Sequence, residues 1–395
     1  MRARTYLALA LLVALAALPA GCEVGDDSSP APESAVPGPR ASDEEADEKL
    51  GFPATAKKNT IRVGGGDAIS DTAGVASAVF PGTSQSTRPT AVVLVDNDDW
   101  QAGVSASALA ASPIGAPILV SDGDELSPVT SDALERLDPR GSDLSKDAQV
   151  IRIGDQPPRP EGFKTAVIKG KDAYERSAAV DRFFSAARGR PSRDVVVASG
   201  EQPEYAMPAA AWAARSGDSV LLTKKDELPD ATRRAVAEHE KPNIFVLGPE
   251  TVISEEVATE LAKLGKVSRI EGPDPVENAI EFARYEKGGF GWNIRAPGYN
   301  FTLASTERPL DAAASAALAT NGTFAPLLVT DDADPLPEAL ESYFLSVQPG
   351  YENDDPGQAV YNRVWILGDD SQVSVAAQAR IDQVTQLIPV QAGTP

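Results

Sequence analysis

One pattern of residues occurs three times along the chain, at a nearly constant spacing. Each copy has a short apolar run, then Gly-x-Asp, then a stretch with helical periodicity. The central glycines of the three copies are Gly65, Gly170 and Gly272, which are 105 and 102 residues apart. A repeat of this length has the size of a small domain, so the chain is predicted to fold as three similar units.

The rest of each copy predicts alternating strands and helices. The Gly-x-Asp helix is followed by an apolar strand, an alanine-rich helix, a second apolar strand and a strand that ends in glycine. Short apolar runs that alternate with helical segments are typical of parallel sheets covered by helices. We therefore predict an α/β fold of three tandem Rossmann-like repeat domains with small parallel sheets. The predicted bounds of these domains are 60–163, 164–266 and 267–388.

The residues before the repeats predict export and lipid attachment. Residues 1–21 combine two arginines with an apolar stretch, as a secretory signal peptide does. Cys22 follows small residues in a way that resembles the lipobox of bacterial lipoproteins, which implies a lipid on Cys22. Such a lipid would hold the protein to the outer face of the cytoplasmic membrane. Residues 22–59 are rich in Ser, Pro and acidic residues and are predicted to be a disordered tether, and 389–395 a C-terminal tail.

Charge and the rarity of two residue types exclude several functions. The net charge is −22, so binding to nucleic acid is not expected. One cysteine cannot form an intrachain disulfide or a cysteine-based zinc site. The single histidine, His239, stands at a predicted helix end and is expected to be exposed. No nucleophile elbow, phosphate loop or pair of carboxylates is evident, so we predict no catalytic residue, no metal site, no cofactor and no enzyme activity.

The order of these motifs resembles the cell wall-binding type 2 repeat, which occurs as tandem triplets in surface proteins of Gram-positive bacteria. Residues 269–274 carry its Arg, Gly and Asp, 311–313 its Asp-Ala helix, and 252–254 and 372–374 its Val-Ser helix start. The resemblance covers residues 60 to about 388 and implies three divergent repeats packed around a pseudo-threefold axis. It also implies a non-catalytic role, in which the repeats contact an anionic cell-wall polymer or glycan, or another component of the envelope.

Two sets of recurring residues are candidates for contact with such a polymer. The first set, at related strand positions, could hold an anionic group if the packing of the repeats brings its members together; it consists of Arg62, Lys169 and Arg269. The second set is the Asp of Gly-x-Asp, for which a helix N-cap and a ligand role are both open. It consists of Asp67, Asp172 and Asp274.

A further candidate is Trp292, in an insertion of the third copy at about 286–299. Trp292 lies beside Phe290 and Tyr299 in a glycine-rich segment. Aromatic side chains on such a loop either stack on sugar rings or anchor the loop to the core. Both interpretations are open from the sequence.

One alternative function and one prediction about packing complete the sequence analysis. A signal, a lipid, a tether and α/β units would also suit an extracytoplasmic lipoprotein that binds a small solute. The alanine-rich helices, around 102–111, 206–214 and 312–319, are predicted at contacts between the repeats, because small side chains permit close approach and the strands that follow are apolar on both faces.

Overall fold

A computed structural model describes residues 54–320, 323–352 and 359–390. The predictions for the signal peptide, Cys22 and residues 22–53 of the tether lie outside these residues, as does the tail after Val390. The predicted tether is wrong at its end, because Ala54–Ala56 form a strand, and the predicted tail begins two residues early, because the last strand runs through Ile388–Val390. The eleven α-helices of the described part are α1 (Ala68–Val79), α2 (Trp100–Ala106), α3 (Pro128–Leu137), α4 (Ala173–Arg188), α5 (Pro203–Ser216), α6 (Asp230–Glu238), α7 (Glu255–Ala262), α8 (Pro275–Arg284), α9 (Asp311–Ala319), α10 (Glu338–Ser346) and α11 (Val375–Val384).

The same part of the chain contains fifteen strands. They are β1 (Ala54–Ala56), β2 (Thr60–Val63), β3 (Val92–Asp96), β4 (Ile118–Ser121), β5 (Val150–Ile153), β6 (Thr165–Ile168), β7 (Asp194–Ser199), β8 (Ser219–Thr223), β9 (Asn243–Leu247), β10 (Lys266–Ile270), β11 (Asn300–Ser305), β12 (Leu327–Thr330), β13 (Gly350–Glu352), β14 (Arg363–Leu367) and β15 (Ile388–Val390).

Three small sheets share one strand order, which confirms the α/β fold of repeated units. The first unit has the order β4-β3-β5-β6, and the second has β8-β7-β9-β10. The third has β12-β11-β14-β2, to which β1 adds an antiparallel edge. All other pairs in these sheets are parallel, as helical crossovers require. A fourth, two-stranded sheet pairs β13 with β15.

The sheets are offset by one strand from the repeats in the sequence. β6 and β10 begin the second and third copies of the pattern, yet they complete the sheets of the first and second units. The third sheet is completed by β2, the strand that begins the first copy. Each unit therefore depends on a strand from another copy, while the bounds 60–163, 164–266 and 267–388 stay a prediction about the sequence pattern.

The alanine-rich helices lie where the units meet, which confirms their predicted position. α5 and α9 contact each other, and both contact α2 and the short 3-10 helix Ser107–Ala110 that follows it. Every residue of Ala206–Ala214 and of Ala312–Ala319 is buried. The helices approach closely: a Cβ on Gly103 of α2 would lie 3.0 Å from Leu310 Cδ2 and 3.3 Å from Ala313 Cβ. Mutual contact of all three is what a threefold arrangement of the units requires.

Candidate functional site

The units meet at three equivalent seams. On one side of each seam is the loop that follows the first strand of a unit, which is β3, β7 or β11. On the other side is the Gly-x-Asp helix that precedes the next unit. This helix is α4, which contacts α2; α8, which contacts α5; or α1, which contacts α9. We call the seams the first–second, second–third and third–first seams. The residue four places after the Asp of Gly-x-Asp faces the seam, and it is Arg176, Asn278 or Asp71.

The third–first seam contains a buried cluster of two carboxylates and one guanidinium. Arg308, at the start of α9, forms ion pairs with Asp71 of α1 and with Asp311, and the Arg308–Asp311 distance is 3.2 Å. Its Nη1 also donates to the Gly65 carbonyl at 3.1 Å, while Asp71 accepts the Gly65 N–H at 2.6 Å. Both carboxylates are fully buried, and Arg308 is 11% exposed. The cluster therefore ties a loop of the third unit to α1.

The two carboxylates do not both ionise easily. Burial raises the pKa of Asp71 to about 10, helped by the neighbouring Asp311 and opposed by Arg308. Burial also raises the pKa of Asp311, to about 6, against the opposing charge of Arg308. At neutral pH the guanidinium of Arg308 thus balances one carboxylate, and the two carboxyl groups together retain one proton. This pair was not predictable from the sequence, because its two members lie in different copies of the pattern.

A groove of about 470 Å³ lies over this cluster, at the carboxyl ends of the strands. Asp67, Asp98 and Trp100 line it together with Arg308 and Gln372. Arg308 is already paired with Asp71 and Asp311, so the free charges of the groove are carboxylates. The groove suits a neutral polar or cationic group and repels an anion.

The other two seams are built differently. In the first–second seam, Arg176 pairs with Asp99 at 2.7 Å, and the two side chains are 19% and 18% exposed. In the second–third seam, Asn278 accepts the Gly272 N–H at 3.1 Å, and the Tyr205 hydroxyl donates to the Pro273 carbonyl at 3.4 Å. Only the third–first seam, of these three, has two carboxylates around its arginine.

The structure places Arg62 and Arg269 in two different sheets and Lys169 just after β6 of the remaining sheet, and each of them contacts a loop of its own unit. Arg62 is buried and donates to the carbonyls of Gly368, Asp369 and Val373 and to Gln378 Oε1. Burial lowers the pKa of Arg62, against the raising effect of nearby aspartates. Arg269 likewise donates to the carbonyls of the loop after β9, and Lys169 is exposed and pairs with Asp155 at 2.6 Å.

Strand register explains why Lys169 differs from Arg62 and Arg269. In each sheet one residue pairs with the last residue of the neighbouring strand; these residues are Val63, Ile168 and Ile270. The residues just before them are therefore equivalent, and they are Arg62, Val167 and Arg269. In the first unit the loop is held instead from the neighbouring strand: Arg152 donates to the Pro157 and Asp155 carbonyls at 2.5 and 2.8 Å.

The three aspartates of Gly-x-Asp cap the helices that they precede. Asp67, Asp172 and Asp274 have extended backbones, and each side chain accepts the backbone N–H three residues later, at 2.7, 2.8 and 2.8 Å. Asp67 and Asp172 are exposed and Asp274 is partly exposed. The N-cap interpretation is confirmed at all three positions, and of the three only Asp67 lines the groove described above.

Both sequence interpretations of the aromatic insertion have a counterpart in the structure. Phe290 is buried and anchors the loop, since its ring stacks on Phe245 with the ring centres 3.5 Å apart and packs against Trp212 at 4.8 Å. Trp292 is half-buried, edge-on to Trp212 at 5.5 Å, and lines a second groove of about 320 Å³. Tyr299 lines the same groove and is 39% exposed.

His239 is buried, so the expectation that it is exposed was wrong. Its Nδ1 lies 2.8 Å from the Ser192 carbonyl and its Nε2 lies 3.1 Å from the Asp181 carboxylate. Burial opposes protonation of the ring, but the hydrogen bond to Asp181 and the charge of that group leave the pKa of His239 raised. The error arose because the contact partners of His239 lie 47 and 58 residues away in the sequence.

Comparison with known proteins locates the resemblance. Residues 167–258 match the family model described as Cell wall binding domain 2 (CWB2), which confirms the resemblance expected from the sequence, with the second copy as the matched segment. The chain is 26% identical over 198 residues to a protein of Bacillus subtilis (strain 168) named "Amidase enhancer". That match covers 50% of this chain and 26% of the relative.

Two solved structures share the fold. The chain superimposes on Cwp6 from Clostridium difficile with a TM-score of 0.65 and 16% identity, over 85% of this chain and 51% of Cwp6. For Cwp8 from Clostridium difficile the TM-score is 0.63, with 19% identity over 87% of this chain and 53% of Cwp8. The chain thus spans about half of these structures and about a quarter of the curated relative.

Proposed function

We propose that this protein is a non-catalytic surface lipoprotein whose three repeats contact cell-wall polymer or another component of the envelope. The observation that carries the proposal is the match of residues 167–258 to the Cell wall binding domain 2 family, within a fold that repeats the same unit three times. Cwp6 and Cwp8 from Clostridium difficile share this repeated fold.

A non-catalytic role agrees with the chemistry of the buried groups. Asp71 and Asp311 are fully buried and held by Arg308, so neither can reach a substrate as a general acid or base. The described residues contain no cluster of His, Cys, Asp and Glu that could hold a metal ion. Asp181 and Ser192 take up the two ring nitrogens of His239.

Co-sedimentation with purified cell walls tests the wall contact. The full chain, kept soluble in mild detergent, is mixed with walls of a Gram-positive bacterium at low and high salt. We expect it to pellet with the walls at both salt concentrations, because added salt weakens a local cation–anion contact and the repulsion between the acidic chain and an anionic polymer alike. A chain that stays in the supernatant at low salt contradicts the proposal.

The lipid on Cys22 is a separate part of the proposal. No helix in the described part of the chain is long and apolar enough to cross a membrane. We expect the wild-type chain to incorporate a fatty-acid label in a bacterial host and to fractionate with membranes. A Cys22→Ser chain should do neither, and labelling that persists in this variant would contradict a lipid at Cys22.

A solute-binding role remains the second candidate, favoured by the groove of about 470 Å³ at the third–first seam. This volume is in the range of small-molecule sites. A thermal-shift screen with sugars, amino acids and polyamines separates the two functions. A large shift with one defined solute, lost in Trp100→Ala, favours the receptor, whereas wall binding without such a shift favours the polymer.

A further inference from the structure

We propose that the groove lined by Trp292, Tyr299, Phe324 and Arg215 binds an acidic sugar unit of a glycan. The inference rests on the proposed contact with cell-wall polymer and names the site and the chemical class of that contact. We call it the aromatic groove; its lining is completed by Ile294, Gly298, Asn300 and Thr323. It lies at the amino ends of the strands of the third unit, where α5 of the second unit reaches it through Arg215.

Exposed apolar side chains gather at this edge. Among the described residues, nine large apolar side chains are exposed, and two of them, Tyr299 and Phe324, line the groove. Val360 and Tyr361 are two more: Val360 packs against Gly298, and Tyr361 follows it in the chain. Apolar side chains that cluster on a surface mark a binding site more often than scattered ones do.

The aromatic rings of the groove are held in place rather than loosely displayed. Asn362 Oδ1 accepts the N–H groups of Gly298 and Tyr299 at 2.8 and 3.1 Å, and its Nδ2 donates to the Val347 carbonyl at 2.7 Å. Trp292 is braced by Trp212. Phe324 has a left-handed backbone with φ of 52°, which is strained for an aromatic residue. Phe290 already anchors the insertion, and Tyr299 and Phe324 are 39% and 44% exposed, so these two side chains can contact a ligand.

The charge of the groove selects the ligand. Arg215 is its only charged lining residue, and its described contact is with the face of the Phe324 ring, 4.5 Å from the ring centre. No carboxylate pairs with Arg215 in the described part of the chain. Arg363, exposed at the same sheet edge, pairs in register with Asn300. The net charge of the protein is −22, but this groove has a guanidinium without a carboxylate partner. It is therefore suited to a carboxylate or phosphate of a ligand.

The polar groups complete a sugar site. Asn300 Nδ2 donates to the Thr323 carbonyl at 3.0 Å, which leaves Asn300 Oδ1 able to accept a hydroxyl proton. A pyranose ring can lie on an aromatic face while its hydroxyls meet Asn300 and its acidic group meets Arg215. The volume of about 320 Å³ is at the small end for ligand sites and fits one or two sugar units.

Calorimetric titration of the full chain tests the site with defined probes. The probes are tetragalacturonic acid, which carries carboxylates on sugar rings, cellotetraose, which is neutral, and poly(glycerol phosphate), which has phosphates but no rings. We expect tetragalacturonic acid to bind more tightly than cellotetraose. Tyr299→Ala and Phe324→Ala should each weaken this binding by about five- to tenfold, the usual range for loss of one aromatic contact. Poly(glycerol phosphate) should lose affinity in Arg215→Gln and not in Tyr299→Ala, which separates a phosphate ligand from an acidic sugar.

Matched variants keep the result interpretable. Arg182→Gln removes an exposed arginine of α4, and Leu345→Ala an exposed apolar side chain of α10, and neither should change binding. All variants should unfold at the wild-type denaturant concentration. Equal binding of the acidic and neutral tetramers, or unchanged binding in all three groove variants, overturns the inference. If the groove variants still pellet with cell walls as the wild type does, the groove is wrong while the proposed function stands; if the wild type does not pellet, the proposed function itself fails.

Discussion

The third–first and first–second seams occupy equivalent places in the fold, and in each an ion pair joins the loop to the helix. The two ion pairs have opposite directions. In the third–first seam the loop carries Arg308 and the helix carries Asp71. In the first–second seam the loop carries Asp99 and the helix carries Arg176. The first of these pairs is almost completely buried, whereas the second is about one-fifth exposed.

The reversal of charge specifies which units become neighbours. A first unit docked in the wrong place would set Asp99 against Asp71, and a third unit docked on the second copy would set Arg308 against Arg176. Like charges at a partly buried contact are unfavourable, so the wrong order is disfavoured by repulsion as well as by lost pairing.

The largest expected difference between the seams comes from removing the arginine. Arg308→Ala leaves Asp71 and Asp311 buried without a cation and should lower the free energy of unfolding by about 3–5 kcal/mol. Arg176→Ala, its counterpart in the first–second seam, should cost only about 1 kcal/mol because water reaches that pair. Urea denaturation of both variants checks this. Equal losses would show that burial does not distinguish the two seams.

Overpacking the shared alanine contact should cost less than breaking the buried cluster. Ala316→Gln in α9 and Ala210→Gln in α5 introduce bulk at fully buried sites and should each destabilise by about 1–3 kcal/mol. Ala379→Gln, at an exposed position of α11, is the matched control and should stay within about 0.5 kcal/mol of the wild type. If the two buried substitutions behave like the control in urea denaturation, the helices do not pack as tightly as described.

A charge exchange sharpens the comparison further. Asp99→Arg alone places two arginines together, and the double variant Asp99→Arg with Arg176→Asp restores the pair with the polarity of the third–first seam. We expect a coupling energy of about 1 kcal/mol in a double-mutant cycle at low salt. This energy should fall as salt screens the pair. A coupling near zero at low salt would remove the charge argument for unit order.

A further prediction concerns pH and the buried carboxylates. Because burial raises the pKa of Asp71 to about 10, the folded state keeps a proton that the unfolded state loses near its ordinary value of 3.8. Stability from this group is therefore complete at low pH and declines as pH rises through 10. Asp71→Asn, which copies Asn278 of the second–third seam, should flatten this decline between pH 7 and 9. Urea midpoints of both chains across this range measure it, and parallel curves would contradict the raised pKa.

Features that depend on residues close together in the sequence were predictable from the sequence. Asp67, Asp172 and Asp274 cap their helices because an N-cap depends on a side chain and a backbone N–H three residues away. The strand and helix order followed from the spacing of apolar residues, and the burial of the alanine-rich helices from the size of their side chains.

Contacts between distant copies of the pattern were decided only by the tertiary structure. The pairing of β2 with β14, the Arg308–Asp71–Asp311 cluster and the convergence of Arg215 with Phe324 join residues separated by about a hundred positions or more. Such contacts depend on how whole units dock, and no local period or cap encodes that docking. The burial of His239 has the same cause, since Asp181 and Ser192 reach it only after α4, β7 and the end of α6 have packed together.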